Sequence, residues 1–333
     1  MALDAERRSA LLGSKLAALA AHTTGTPVEA TASAFPDGAA LRHGSSAWVL
    51  VEANRARALG PALAWARQAG AGELDLVVDG DDPSTPAGTL ARRATQMAVP
   101  PRVWVVSGTH LVPAAPAALE PEPAIEPGVR AFAEVLRAAG CDPVVEHGRL
   151  VGEVAGLEVA RAEVGPDGPH LEIGVGRFDR EAHALVSADR PTVEALADVV
   201  ALVRRHRTPG AADHPLQRLS AARHLRSRLV AEPALVGADH LAPVPSTLPA
   251  PDLRMPWPAT AAGTTIDGGP LVVVCSTGID LDLVPTAADA RLADGRGARL
   301  VLAVPERDVH PVTEALAAAL AEPAEVVGIA PLT

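Results

Sequence analysis

Residues Phe35–Val78 read FPDGAALRHGSSAWVLVEANRARALGPALAWARQAGAGELDLVV, and this stretch decides the fold. Pro36-Asp37-Gly38 is a turn signal, Ala39–His43 a short strand, and Gly44-Ser45-Ser46 turns into the apolar strand Trp48-Val49-Leu50-Val51. Arg55–Ala69 has a helical pattern and Leu74–Val78 is a second apolar strand. The plan is hairpin, strand, helix, strand.

Upstream, Leu11, Leu12, Leu16 and Leu19 fall at helical spacing within Leu3–His22, with Asp4 as N-cap, and Pro27–Ala34 alternates like a strand. Downstream, Thr85–Ala98 reads as helix and Arg102–Val106 as strand, which extends the order to αβββαβαβ. Pro113–Pro127, with EPEP inside it, has the composition of an exposed linker. A second helix-led block follows, with Val129–Ala139 helical and Val144–Val154, Leu157–Val164 and Leu171–Val175 as a meander whose second turn is Gly165-Pro166-Asp167-Gly168. Arg180–Val186 and Thr192–His206 read as helices, and the Pro-rich Ala231–Gly269 as an irregular segment ending in a hairpin turn over Gly263–Gly269.

The last block repeats the first: Pro270–Val274 strand, Val284–Ala293 helix, Arg299–Val304 strand. Leu59-Gly60-Pro61 aligns with Leu283-Val284-Pro285 and LDLVV with LVLAV, which raises an internal duplication. The expectation is an α/β chain of mixed sheets built from αβββαβ-type units. Its parts are a domain at 1–113, a linker at 114–127, a meander with helices at 128–230, the irregular 231–269, and a C-terminal α/β unit at 270–333 that packs back on the first.

Composition bounds the function. The chain has 333 residues and 48% hydrophobic content, enough for real cores, but 2% aromatics, so Ala, Val and Leu must fill them. Lys15 is the only lysine among 29 basic residues, a mark of GC-rich coding. A net charge of −11 argues against a surface built wholly to lie on phosphates. Cys141 and Cys275 match neither a disulfide framework nor a metal knuckle, which fits a reducing compartment. The N-terminus lacks the apolar core of a signal peptide, and no apolar run approaches the roughly 20 residues that cross a bilayer, so a cytoplasmic protein with no membrane contact is expected.

Two stretches outside the opening unit carry candidate chemistry. From Arg204 to Arg228 there are seven arginines (Arg204, Arg205, Arg207, Arg218, Arg223, Arg226, Arg228) and three histidines against one acid, Asp213. Guanidinium forks suit phosphate, so this is the candidate surface for nucleic acid or another anion; no aromatics interleave for base stacking, and pairing with the protein's own carboxylates is the other reading. Cys275-Ser276-Thr277-Gly278 follows an apolar strand and precedes Asp280 and Asp282, a place where α/β proteins bind ligands. Cys275 as nucleophile, Asp280 and Asp282 as cation ligands, and a buried cysteine beside a hydroxyl-rich turn are the readings open there.

In the opening unit, Pro36-Asp37 precedes Glu52-Ala53-Asn54 with fourteen residues between them. This resembles the restriction-endonuclease-like superfamily, whose nucleases carry Pro-Asp, a spacer, then Glu or Asp, any residue, Lys. The αβββαβ order over Leu3–Val78 is similar to that superfamily's core. The resemblance implies that Asp37 and Glu52 hold Mg²⁺ and that position 54 supplies the lysine that positions or deprotonates the attacking water. Asn54 stands there instead, with neither positive charge nor titratable amine. Glu6 on the opening helix would be a third carboxylate. A fainter parallel is Glu158 and Glu172 in the second block, where Gly174 takes the lysine-like position and alternating charges on a wet sheet face are the plainer reading. The functional expectation is a divergent nuclease-like protein with an incomplete active site that binds nucleic acid; the alternative is a non-catalytic ligand-binding or protein-interaction scaffold.

Overall fold

A computed structural model of the chain describes residues 2–52, 56–80, 86–176, 179–180, 192–208, 210–212 and 214–331. The chain divides into two compact units, one of Met1–Leu119 with Asp280–Asp289 and His310–Glu325, the other of Glu120–Ile279 with Ala290–Val309 and Val326–Thr333.

In the first unit, helix α1 (Ala2–Thr24) precedes strands β1 (Ser33–Phe35), β2 (Gly38–His43) and β3 (Ser46–Glu52); α2 (Leu59–Gln68), β4 (Glu73–Asp79), α3 (Ala87–Ala94), β5 (Arg102–Ser107) and β6 (His110–Pro113) follow. The six strands form one sheet in the order β1 to β6, antiparallel over β1–β3, parallel over β3–β5 and antiparallel again at β6. The centre of this sheet is covered on both faces, which is why Trp48-Val49-Leu50-Val51 and Leu76-Val77-Val78 are continuous apolar runs. Val49, Val51, Leu76 and Val78 pack against Leu59, Ala62, Leu90 and Ala91 of α2 and α3. Trp48, Leu50 and Val77 pack against Leu12, Leu16 and Leu19 of α1. Right-handed β-α-β connections put both crossover helices on one face, and α1 covers the other. Gly60 opens α2 where the backbone of Leu281 passes, and a Cβ there would lie 1.9 Å from the Leu281 carbonyl oxygen.

In the second unit, α4 (Pro127–Arg130) and α5 (Phe132–Ala138) lead into a four-stranded antiparallel meander of β7 (Asp142–Glu146), β8 (Arg149–Val154), β9 (Leu157–Gly165) and β10 (Gly168–Ile173). The predicted strand Val144–Val154 is in fact two strands. His147 (φ 52°) and Gly148 (φ 70°) form a two-residue hairpin turn with both residues left-handed, the same device as Ala155 (φ 47°) and Gly156 (φ 75°) at the next turn. Helix α6 (Thr192–His206) covers one face with Leu196, Val200 and Val203 on Leu150, Leu157 and Val159. The helix predicted over Arg180–Val186 falls outside the described residues beyond Arg180.

After α7 (Pro215–Arg218) and α8 (Ala221–Ala231) comes a five-stranded sheet, β11 (Ala238–Val244), β12 (Ala259–Thr265), β13 (Pro270–Cys275), then α9 (Leu283–Asp294), β14 (Arg299–Pro305), α10 (Pro311–Ala318) and β15 (Glu325–Ile329). β11–β13 are antiparallel and β13–β14 parallel. This corrects the reading of Ala231–Gly269 as irregular. Pro243 is tolerated because β11 is an edge strand, and the small residues of β12 gave no apolar run to read. Strands β11 to β15 follow the same order of elements as β1 to β5, with α8 before them as α1 is before the others. Likewise Pro27–Ala34 yields only the short β1, and β6, α10 and β15 are additions that the sequence reading lacked.

Candidate functional site

The hairpin register places Asp37 opposite Glu52. Gly38 pairs with Val51, and one step further the Glu52 amide donates to the Asp37 carbonyl at 3.1 Å. Asp37 occupies the β1–β2 turn at φ 50°, exposed to solvent. The parallel register of β3 and β4 then sets Glu52 beside Asp79. Three acidic residues thus meet at one end of the sheet, at the C-termini of β3 and β4, where open α/β sheets bind ligands.

Cations from α1 meet two of them. Arg8 Nε donates to Glu52 Oε2 at 3.0 Å with Nη2 on the same oxygen, and Lys15 Nζ donates to Asp79. Asp79 and the chain's only lysine lie far apart in sequence, and neither was singled out as a site residue. The one available signal was that Asp79 ends its strand as Glu52 ends its own. Asn54 lies outside the described residues, and no side chain of Glu6 is described.

These residues do not fit a metal-holding set. Glu52 and Asp79 each have an internal cation, and among the described residues no group of three or more His, Cys, Asp or Glu side chains could hold a metal ion. A divalent cation needs several converging oxygens to replace its water.

The predicted ligand loop is closed at its strand end. Cys275 and Ser276 are buried, and desolvation pushes the Cys275 thiol up to about 12, which removes it as a nucleophile at neutral pH. The Ser276 amide donates to Ala303 O at 3.1 Å. Thr277 is half-buried and Gly278, at φ 72°, donates its amide to Asp308 at 2.7 Å. Cys141 is buried too, and both cysteines are free thiols.

Asp280 and Asp282, read as cation ligands, meet arginine instead. Arg57 pairs with Asp280, and the fully buried Arg93 reaches Asp282 at 3.1 Å and Asp289 at 2.7 Å. Arg92 bonds both Asp289 oxygens at 3.0 Å. The Gly60 amide donates to Asp282 at 2.9 Å. Burial raises the Asp282 carboxyl to about 6 against the pull of Arg93, the Gly60 amide and Arg57.

Three of the seven arginines expected on an anion-binding surface turn inward. Arg226, fully buried, reaches Glu146 at 2.5 Å and Glu153 at 2.9 Å, and Arg223 pairs with the same two carboxylates. The Glu146 carboxyl is expensive to bury, but Arg226 and Arg223 more than offset that and hold it below its ordinary value. Arg207 donates to the carbonyls of Ala155 at 2.7 Å, Leu216 at 3.0 Å and Leu219, and burial lowers it to about 10. Arg228 donates to the Ala330 carbonyl. Arg204, Arg205 and Arg218 stay exposed, with Arg204 also donating to Gly140 O at 2.7 Å. Glu158 and Glu172 are held by arginine as well: Arg161 Nε and Arg180 Nη1 each bond Glu158 at 3.0 Å, and Arg180 lies 3.3 Å from Glu172.

No protein-family model, curated protein or solved structure matches the chain. No described helix is long and apolar enough to cross a membrane.

Proposed function

We propose that this chain is a nuclease-like α/β protein that binds nucleic acid without cleaving it. The observation that carries this reading is the occupation of the strand-end carboxylates by Arg8 and Lys15. In a metal-dependent nuclease those oxygens would face a divalent cation and a scissile phosphate. Here a guanidinium and an ammonium from α1 already balance them, and Asn54 offers no amine to handle the proton of an attacking water. Contact with a phosphate backbone falls to the exposed Arg204, Arg205 and Arg218. No Phe, Trp or Tyr lies among them to stack on bases, and the His206 ring is already stacked on His214, so binding is electrostatic and weak at physiological salt.

The test is retention on single- and double-stranded DNA and RNA across a salt series, together with incubation in Mg²⁺ or Mn²⁺. Retention at low ionic strength should fall with a log–log slope no steeper than about −2.7, the value for three phosphate contacts on duplex. No cleavage products should form. Cleavage that disappears in Asp37→Ala would overturn the non-cleaving reading, and absence of retention at low salt would remove nucleic acid as the partner.

A further inference from the structure

The face of the β7–β10 sheet that carries Val151 and Arg161 borders a cavity of about 720 Å³, closed on another side by the segment 249–254. We infer that this cavity binds a small organic anion, a molecule with one carboxylate or phosphate group on an apolar body. Its volume lies within the roughly 300–1,000 Å³ of small-molecule sites. Val151, Val175, Leu219 and Leu253 supply an apolar lining, and the chain of all four belongs to the second unit.

The sign of the ligand's charge follows from which polar groups are already committed. Every carboxylate on the wall has a donor. Glu146 takes Arg223 and Arg226, and Glu158 takes Arg161 and Arg180. Asp179 accepts from the Val175 amide at 2.6 Å, and Asp252 from the amides of Arg254 and Met255 at 2.7 Å. Both glutamates are thus balanced by arginine, and the wall carries five arginines (Arg149, Arg161, Arg180, Arg223, Arg254) against four carboxylates (Glu146, Glu158, Asp179, Asp252).

Two wall arginines, Arg149 and Arg254, make no ion pair among the described residues. Arg149 faces Glu146 across the β7–β8 hairpin, but that carboxylate is spent on Arg223 and Arg226, and the exposed Arg149 side chain has no ion pair among the described residues. His147, held left-handed in the adjoining turn, has its ring Nε2 buried without a hydrogen-bond partner. The exposed Arg149 and Arg254 guanidiniums on the wall of a part-apolar cavity can take a carboxylate or phosphate, whereas the His147 ring nitrogen is enclosed by protein. Arg161 stands diagonally across from Arg149 on β9, with Nε and Nη2 on Glu158 and Nη1 3.8 Å from Glu163.

Isothermal titration of the full chain with phenyl phosphate and with benzoate tests this, with inorganic phosphate and phenol as half-ligands. One aromatic anion should bind saturably at one site per chain, at least tenfold tighter than either half-ligand, and the two arms separate phosphate from carboxylate recognition. Arg149→Ala should weaken binding at least tenfold with an unchanged urea midpoint, because its side chain supports nothing internal. Val151→Phe, which narrows the apolar wall, should weaken binding, while Arg8→Ala in the other unit should leave it unchanged. No saturable heat from either aromatic anion would overturn the proposal. So would phenol binding as tightly as the anions, or full affinity in Arg149→Ala.

Discussion

Helix α1 lays Arg8 and Lys15 on Glu52 and Asp79; helix α8 lays Arg223 and Arg226 on Glu146 and Glu153. The inventory is the same, two cations on two carboxylates, but the surroundings differ. The Arg8 and Glu52 side chains are 68% and 31% exposed, whereas those of Arg226 and Glu146 are 1% and 5% exposed. In water such a pair has solvent as an alternative partner; in the interior the charges have only each other. The α8 cluster is therefore part of the interior, and the α1 cluster lies at the surface within reach of water. The arginine-rich stretch 204–228 read as one candidate surface, and burial divides it: Arg223 and Arg226 hold carboxylates inside the fold, while Arg204, Arg205 and Arg218 stay exposed.

The largest break in this comparison should come from Arg226→Met. It leaves Glu146 and Glu153 buried with one guanidinium between them, and the loss should be about 3–5 kcal/mol in urea unfolding. Adding Glu146→Gln and Glu153→Gln should recover part of it, since what costs is the uncompensated charge. A smaller effect comes from acid. Burial, opposed by the Ala155 carbonyl that accepts from Nδ1 and reinforced by Arg207 and Arg228, holds the His224 imidazole below 6.5. The unfolded chain takes up that proton first, so stability should fall as pH drops through 6.5 toward the lowered folded value, by at most about 1.4 kcal/mol per pH unit. His224→Gln should flatten that limb of a stability-against-pH curve. At the small end, Arg8→Ala or Lys15→Met should change stability by less than about 1 kcal/mol, less still in high salt. A loss of several kcal/mol in either would erase the distinction between the two helices.

Much of the scaffold was legible in the sequence, for a physical reason. Thr192–His206 matches α6, and the apolar runs behind β3, β4, β13 and β14 stand out because strands covered on both faces must be apolar throughout. What escaped notice lacks such a run. β12, ATAAGTT, is small and polar, β11 carries a proline at a sheet edge, and the His147-Gly148 turn hides inside an apolar stretch that reads as one strand. The candidate site was half legible. Asp37 and Glu52 flank a hairpin, so local pairing brings them together. Lys15 reaches Asp79 across 64 residues and Arg8 reaches Glu52 across 44, and no local pattern encodes such contacts.

Arg93 has a bearing on how the chain can be made. Its guanidinium is fully buried in the first unit, yet both carboxylates that balance it, Asp282 and Asp289, belong to a stretch synthesised almost two hundred residues later (|i−j| 189 and 196). During synthesis the strands β1–β6 and α3 emerge early, but Arg93 has neither counter-ion until Asp282 and Asp289 follow. The N-terminal unit is thus first in sequence yet depends on residues far downstream, and a cut anywhere between Leu119 and Asp280 would leave a fragment that lacks both counter-ions of Arg93.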